Sequence, residues 1–257
     1  MFLVFNKEKI YAYIVSLITV ITLFCVANTI NLNKTTEETS AKVPKLLPIY
    51  NVQTEEKKVA FTINCAWNAD DIDLILKTLK NNNTKITFFM VGDWIEKFPE
   101  AAKKIYEEGH EIASHSDTHP HVNNLSYEKN IEEIENSNDK IQEITGQRTK
   151  IYRPPYGEYN DTVIKAATDK GYATIQWNLD TLDYTGITGE EMWNRIKDKL
   201  KSGDIILSHN GTKNTAKSLD MLIKNIKQRG LEVVRISDLI YKDNYFINTN
   251  GTQIKEK

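Results

Sequence analysis

From residue 57 to residue 235 short apolar runs alternate with amphipathic stretches about seven times, joined by short connections. No other pattern in the chain restricts its fold as much. Each amphipathic helix hides its apolar stripe by crossing back over the strands, and such crossovers leave neighbouring strands parallel. Residues 59–63, 86–91, 111–114, 151–152, 172–177, 204–208 and 231–235 read as strands. Residues 70–80, 99–108, 126–145, 160–170, 188–201 and 214–229 read as helices. Punctuation agrees with periodicity: Gly109, Gly146, Gly171 and Gly230 stand where helices should stop, and Thr188-Gly189-Glu190-Glu191 has the form of a capping box. The predicted architecture is an α/β domain with a parallel sheet, open or closed into a barrel.

Two flanking regions lie outside this pattern. Residues 10–27 are almost wholly apolar and follow Lys7 and Lys9. Such a run is about long enough to span a bilayer as a helix, and the positive flank keeps its start cytoplasmic. Residues 1–30 are therefore expected to be a signal anchor, with a cleaved signal peptide as the rival, and the remainder to be extracytoplasmic. Residues 31–56, rich in Thr, Glu and Lys, read as a polar linker, and residues 242–257 as a polar, frayed tail. Cys25 and Cys65 lie far apart and are not expected to pair. With 33 basic and 35 acidic residues the charges nearly cancel, so there is no electrostatic reason to expect a nucleic-acid partner.

The side chains able to do chemistry follow strands. Four of the five histidines, His110, His115, His119 and His121, fall in one short window. The spacing of His115 and His119 puts both imidazoles on one face of a helix, or brings them together in a tight turn at a strand end. Two convergent imidazoles are half of a zinc-type ligand shell. Asn64 and Cys65 follow the first strand, Arg153 follows another, Asp180 and Asp183 lie further on, and His209 follows 205–207. Parallel α/β folds place their sites at these carboxyl ends.

Four motifs in order carry a resemblance: His115-Ser116-Asp117-Thr118-His119-Pro120, Arg153-Pro154-Pro155-Tyr156-Gly157, Asp180-Thr181-Leu182-Asp183-Tyr184 and Leu207-Ser208-His209. Together they resemble the polysaccharide deacetylases, the NodB-homology domain of carbohydrate esterase family four, over residues 57–241. Ala66-Trp67 and Thr212-Lys213-Asn214-Thr215 are similar to its sporulation-associated, cell-wall branch. The resemblance implies a distorted (β/α) barrel with fewer than eight strands and removal of N-acetyl groups from peptidoglycan or a chitin-like glycan. It implies a divalent metal, usually zinc, held by His115, His119 and an aspartate. It makes His209 the general acid, Asp183 the residue that orients it, and Arg153 the partner of the catalytic base. Leu207 and Tyr184 would line the acetyl pocket, and the backbone N–H of Tyr156 would help to bind the oxyanion. The chemistry is coherent, because an amide needs a polarised carbonyl, an activated water and a proton donor for the departing nitrogen.

The first motif departs from the family. Two adjacent aspartates, a base and then a metal ligand, are expected where this chain reads Thr62-Ile63-Asn64-Cys65-Ala66-Trp67. A carboxamide at the base position accepts no proton near pH 7, and losing a general base costs about 10²–10⁴ in rate. Cys65 is a metal-ligand candidate as thiolate, or a small buried hydrophobe as thiol. Asp70 and Asp71 are candidates to take over either job, or to cap the helix at Ile72. The sequence thus supports a metal-dependent N-deacetylase weakened at Asn64, with an impaired, glycan-binding envelope module as the alternative.

Overall fold

The structure, a computed structural model, describes residues 7–34 and 45–256. These fall into two compact units divided after Lys45. The first contains helix α1 (Lys7–Lys34), whose stretch Ile10–Ala27 is long and apolar enough to cross a bilayer. Part of the expected linker, residues 35–44, lies outside the described residues.

The second unit alternates strands and helices. Its strands are β1 (Asn51–Val52), β2 (Lys58–Cys65), β3 (Thr87–Met90), β4 (Glu111–Ser114), β5 (Ile151–Tyr152), β6 (Ala173–Thr174), β7 (Leu179–Asp180), β8 (Ile205–His209), β9 (Glu232–Val234), β10 (Tyr245–Ile247) and β11 (Thr252–Lys255). Its helices are α2 (Ile72–Asn81), α3 (Gly92–Lys97), α4 (Pro99–Glu107), α5 (Tyr127–Thr145), α6 (Asp161–Asp169), α7 (Gly189–Ile196), α8 (Thr215–Gln228) and α9 (Ile236–Leu239). The capping box forms as expected: Thr188 Oγ1 accepts the Glu191 N–H and the Glu191 carboxylate accepts the Thr188 N–H.

The main sheet runs β6-β5-β4-β3-β2-β8-β7, with β9 also paired to β2, and every pair in it is parallel. It curls into a half-barrel, as expected, with β6 and β7 at the two ends of its strand order. Alternation along β2 sorts the strand's side chains into two layers. Val59, Phe61, Ile63 and Cys65 pack outward among Ile75 and Leu79 of α2 and Leu222 and Ile226 of α8. Ala60 faces inward, against Phe89, Ala113, Ile151 and Ile205. Extending the inward parity by two residues past Thr62, Ala113, Ile151 and Leu207 reaches Asn64, His115, Arg153 and His209. The barrel interior thus leads straight into the chemical groups.

Two expectations about the flanks are corrected. Residues 46–56 are not all linker, since Ile49 and Val52 are buried in the inner core. The stretch bridges the open edges: the Ile49 N–H donates to Thr174 O at 2.8 Å, and the Val52 N–H donates to Gly203 O at 2.9 Å. Gly203, at φ +85°, permits this approach, because a Cβ there would sit 1.7 Å from the Val52 carbonyl oxygen. The C-terminal tail is not frayed either. β11 pairs with β1 and β10, and buried Gln253 exchanges side-chain hydrogen bonds with the backbone of Tyr241 at 2.9 and 2.8 Å. β1, β10 and β11 span two, three and four residues, too short to show a period, and only their mutual pairing makes them strands.

Candidate active site

His115 and His119 sit in a turn after β4, not on a helix. Ser116 and His119 take positive φ, 66° and 58°, and the turn brings the two imidazoles to 4.9 Å between centroids at an edge-to-face angle of 75°. Tyr156 also has positive φ, 57°, in the turn after β5. Two bulky residues that line the cleft, His119 and Tyr156, held in a sparsely allowed region, mark a site whose geometry the surrounding packing imposes.

Arg153 anchors the floor. It is 0% exposed, and its guanidinium lies 3.8 Å from the Phe89 ring centroid. It donates to Thr62 Oγ1 and Asn64 Oδ1, both at 2.9 Å, and to Gln176 O at 3.2 Å; Nε has no partner among the described residues. None of these acceptors is a carboxylate, and burial pushes the guanidinium pKa well below its ordinary value.

Asn64, Arg153 and His115 close a hydrogen-bonded ring. A guanidinium only donates, so the carboxamide of Asn64 turns its oxygen to Arg153 and its N–H to His115 Nε2, 3.2 Å away. His115 Nδ1 lies 2.8 Å from Arg153 O, which only accepts, so Nδ1 carries the proton and Nε2 the lone pair. Burial first, then the neighbouring His119, lowers the His115 pKa well below the ordinary range, so the ring is neutral. Burial likewise lowers His119.

Across the cleft, Asp183 organises His209. The carboxylate is fully buried and takes donors from His209 Nδ1 at 2.9 Å, His209 N at 2.6 Å, Thr215 Oγ1 at 2.6 Å and Tyr184 N at 3.0 Å. That leaves Nε2 as the free ring nitrogen of His209. Asn64, His115, His119, Tyr156, Tyr184, Leu207 and His209 all line one cavity of about 390 Å³, together with Trp67, Trp177 and Asp180. A larger hollow of about 800 Å³ opens near the amino-terminal ends of β4 and β5, away from these groups, and its Arg148 and Arg235 are paired to carboxylates.

Cys65 is the sequence candidate that the structure does not bring to the cleft. It has the outward parity of β2 and is buried among apolar side chains, and burial raises its thiol pKa well above the ordinary value. A thiol there is a small hydrophobe, and the metal-ligand expectation for it is corrected. Asp71 holds the N-cap position of α2 but makes no side-chain cap; its carboxylate accepts the Gly211 N–H at 2.8 Å instead. Sequence reasoning missed Thr62, Thr215 and Gln176. Thr62 alone was signalled, by standing two residues before Asn64 on the inward face of one strand.

A divalent cation of the zinc type needs three or four convergent protein donors. His115 and His119 supply two neutral imidazoles, but the lone pair of His115 Nε2 already accepts from Asn64. Among the described residues no group of three His, Cys, Asp or Glu side chains is gathered to hold a metal. Without an anionic third ligand, and with the buried Arg153 cation behind them, these side chains do not make up the metal site that the resemblance implies.

Residues 51–175 match the family model for polysaccharide deacetylase. The uncharacterized protein YlxY of Bacillus subtilis is 34% identical over 75% of this chain and 60% of its own length. A peptidoglycan-N-acetylglucosamine deacetylase of Bacillus cereus is 31% identical over 74% of this chain and 92% of its own. A solved CE4 family pseudoenzyme from Bacillus anthracis superposes with a TM-score of 0.72 at 34% identity, covering 76% of this chain and 69% of that one. A mutant of that pseudoenzyme has restored enzymatic activity. The half-barrel, the ordered motifs and these likenesses together place the chain in the polysaccharide deacetylase family. CE4 deacetylases are generally metal-dependent, so the incomplete donor set here is a departure from the family.

Proposed function

We propose that this chain binds an N-acetylated amino-sugar glycan of the cell envelope in the 390 Å³ cleft, and that Asn64 holds its deacetylase activity far below that of its relatives. The observation that carries this reading is the Asn64 carboxamide, fixed by Arg153 on one side and His115 on the other. A water beside it meets an amide, which takes no proton. The other half of the apparatus supports an ancestry in acyl hydrolysis: Asp183 holds the Nδ1–H of His209, leaving Nε2 to deliver a proton to a departing amine. The glycan reading draws on the likeness to the peptidoglycan-N-acetylglucosamine deacetylase of Bacillus cereus, and the impaired reading on the likeness to the pseudoenzyme.

The stretch Ile10–Ala27 would carry the domain across the membrane and keep it near that glycan as a signal anchor. The test is acetate release from an N-acetylglucosamine oligomer, beside a binding measurement on the same protein. Wild type should bind and release acetate very slowly, whereas Asn64→Asp should release it about 10²-fold faster or more. Fast release by the wild type would overturn the reading.

A further inference from the structure

Three large aromatic side chains stand half-exposed around the cleft: Trp67 at 49%, Tyr184 at 51% and Tyr156 at 57%. Aromatic area clustered this way is a mark of a ligand-binding surface. Trp67 is the one without a role in the chemistry above. It lies just past β2, and its indole stacks over the His209 imidazole at 5.3 Å between centroids and 28° between planes.

The loop beneath Trp67 is held from two sides. Asn68 O accepts the indole N–H of Trp94 at 3.0 Å and also the amide of Asn210. The carboxylate of Asp71 accepts the Gly211 N–H at 2.8 Å, tying the loop after β2 to the loop after β8. Gly211, at φ +71°, allows the two loops to meet, because a Cβ there would lie 2.9 Å from Asn68 Oδ1. A half-exposed indole on a doubly tied loop is a preorganised surface, and binding to it costs little ordering.

We infer that Trp67 is the platform on which a sugar ring of the glycan is seated, its apolar C–H face flat on the indole, and that Asp71 is a positioning residue for that platform. The ligand chemistry this favours is an uncharged pyranose, since a stacking surface offers area and no charge. The inference rests on the glycan reading of the cleft.

The test is calorimetric titration of the detergent-solubilised full chain with a soluble N-acetylglucosamine tetramer, with urea unfolding of each variant as the check on folding. Trp67→Ala should weaken binding about 10-fold or more, as truncation of an interfacial tryptophan does. Trp67→Phe, which keeps a flat ring, should stay within about 3-fold of wild type. Asp71→Ala should weaken binding, and Asp71→Asn, whose amide oxygen still accepts from Gly211, should recover it. If Trp67→Ala binds as tightly as wild type, or more tightly, Trp67 is a cover over His209 and the inference is overturned while the glycan reading stands. If the wild type binds no tetramer, the glycan reading itself fails and the platform with it.

Discussion

Arg153 donates to the amide oxygen of Asn64 at 2.9 Å, and none of the hydrogen bonds of this fully buried guanidinium goes to a carboxylate. A buried cation without its anion is costly: removing one partner of such a pair costs about 3–5 kcal/mol. Asn64→Asp restores the anion, and it should stabilise the domain by roughly 2 kcal/mol, less than the full pair because the N–H to His115 Nε2 is lost. Urea unfolding at neutral pH reads this as a higher midpoint with an unchanged slope. A lower midpoint would mean that the closed ring through His115 matters more than the charge of Arg153.

The outward parity of Cys65 makes its thiol chemically silent. It should resist alkylation in the folded protein with zinc present and with zinc chelated, and should react only on unfolding. Peptide mapping separates it from the exposed Cys25. Protection that appears only with zinc would show that Cys65 reaches a metal after all.

His110 should make the domain sensitive to acid. Burial, with the positive charges of Lys85 and Arg235 added, lowers its pKa to about 4, and its Nδ1 accepts the Ile86 N–H at 3.2 Å. Unfolding returns the group to about 6.5, so between these values the unfolded chain binds more protons. Stability is therefore complete above about pH 6.5 and lost as pH falls towards about 4, by at most about 3 kcal/mol from this group. His115 and His119, also lowered, act in the same direction. His110→Asn keeps an acceptor for Ile86 without titrating, so its urea midpoint should change less between pH 7 and pH 5 than that of wild type. Parallel pH profiles for the two proteins would rule His110 out as the cause.

Helix α1 should place the rest of the chain outside the cytoplasm, because Lys7 and Lys9 precede its apolar stretch. A reporter that works only after export, fused after Lys257, should be active, and a cytoplasm-dependent one silent. The opposite pattern would contradict both the anchor and an extracytoplasmic glycan.

The sequence by itself determined the parallel α/β class, because repeated strand and helix periods leave few other packings for apolar stripes. It also determined which groups share a cleft: Asn64, His115, Arg153 and His209 each end an inward-facing row, and strand alternation allows no other side. Read strictly, the same alternation along Val59, Phe61, Ile63 and Cys65 already turned Cys65 away. What Asn64 does was decided only in three dimensions. Its amide orientation depends on an arginine 89 residues later, which can only donate, and on a histidine 51 residues later, whose tautomer Arg153 O sets. The closing of the half-barrel by residues 46–52 and the pairing of β11 with β1 were likewise decided in the folded chain. Strands as short as β1 and β11 have no period of their own and exist through a partner far away in the sequence.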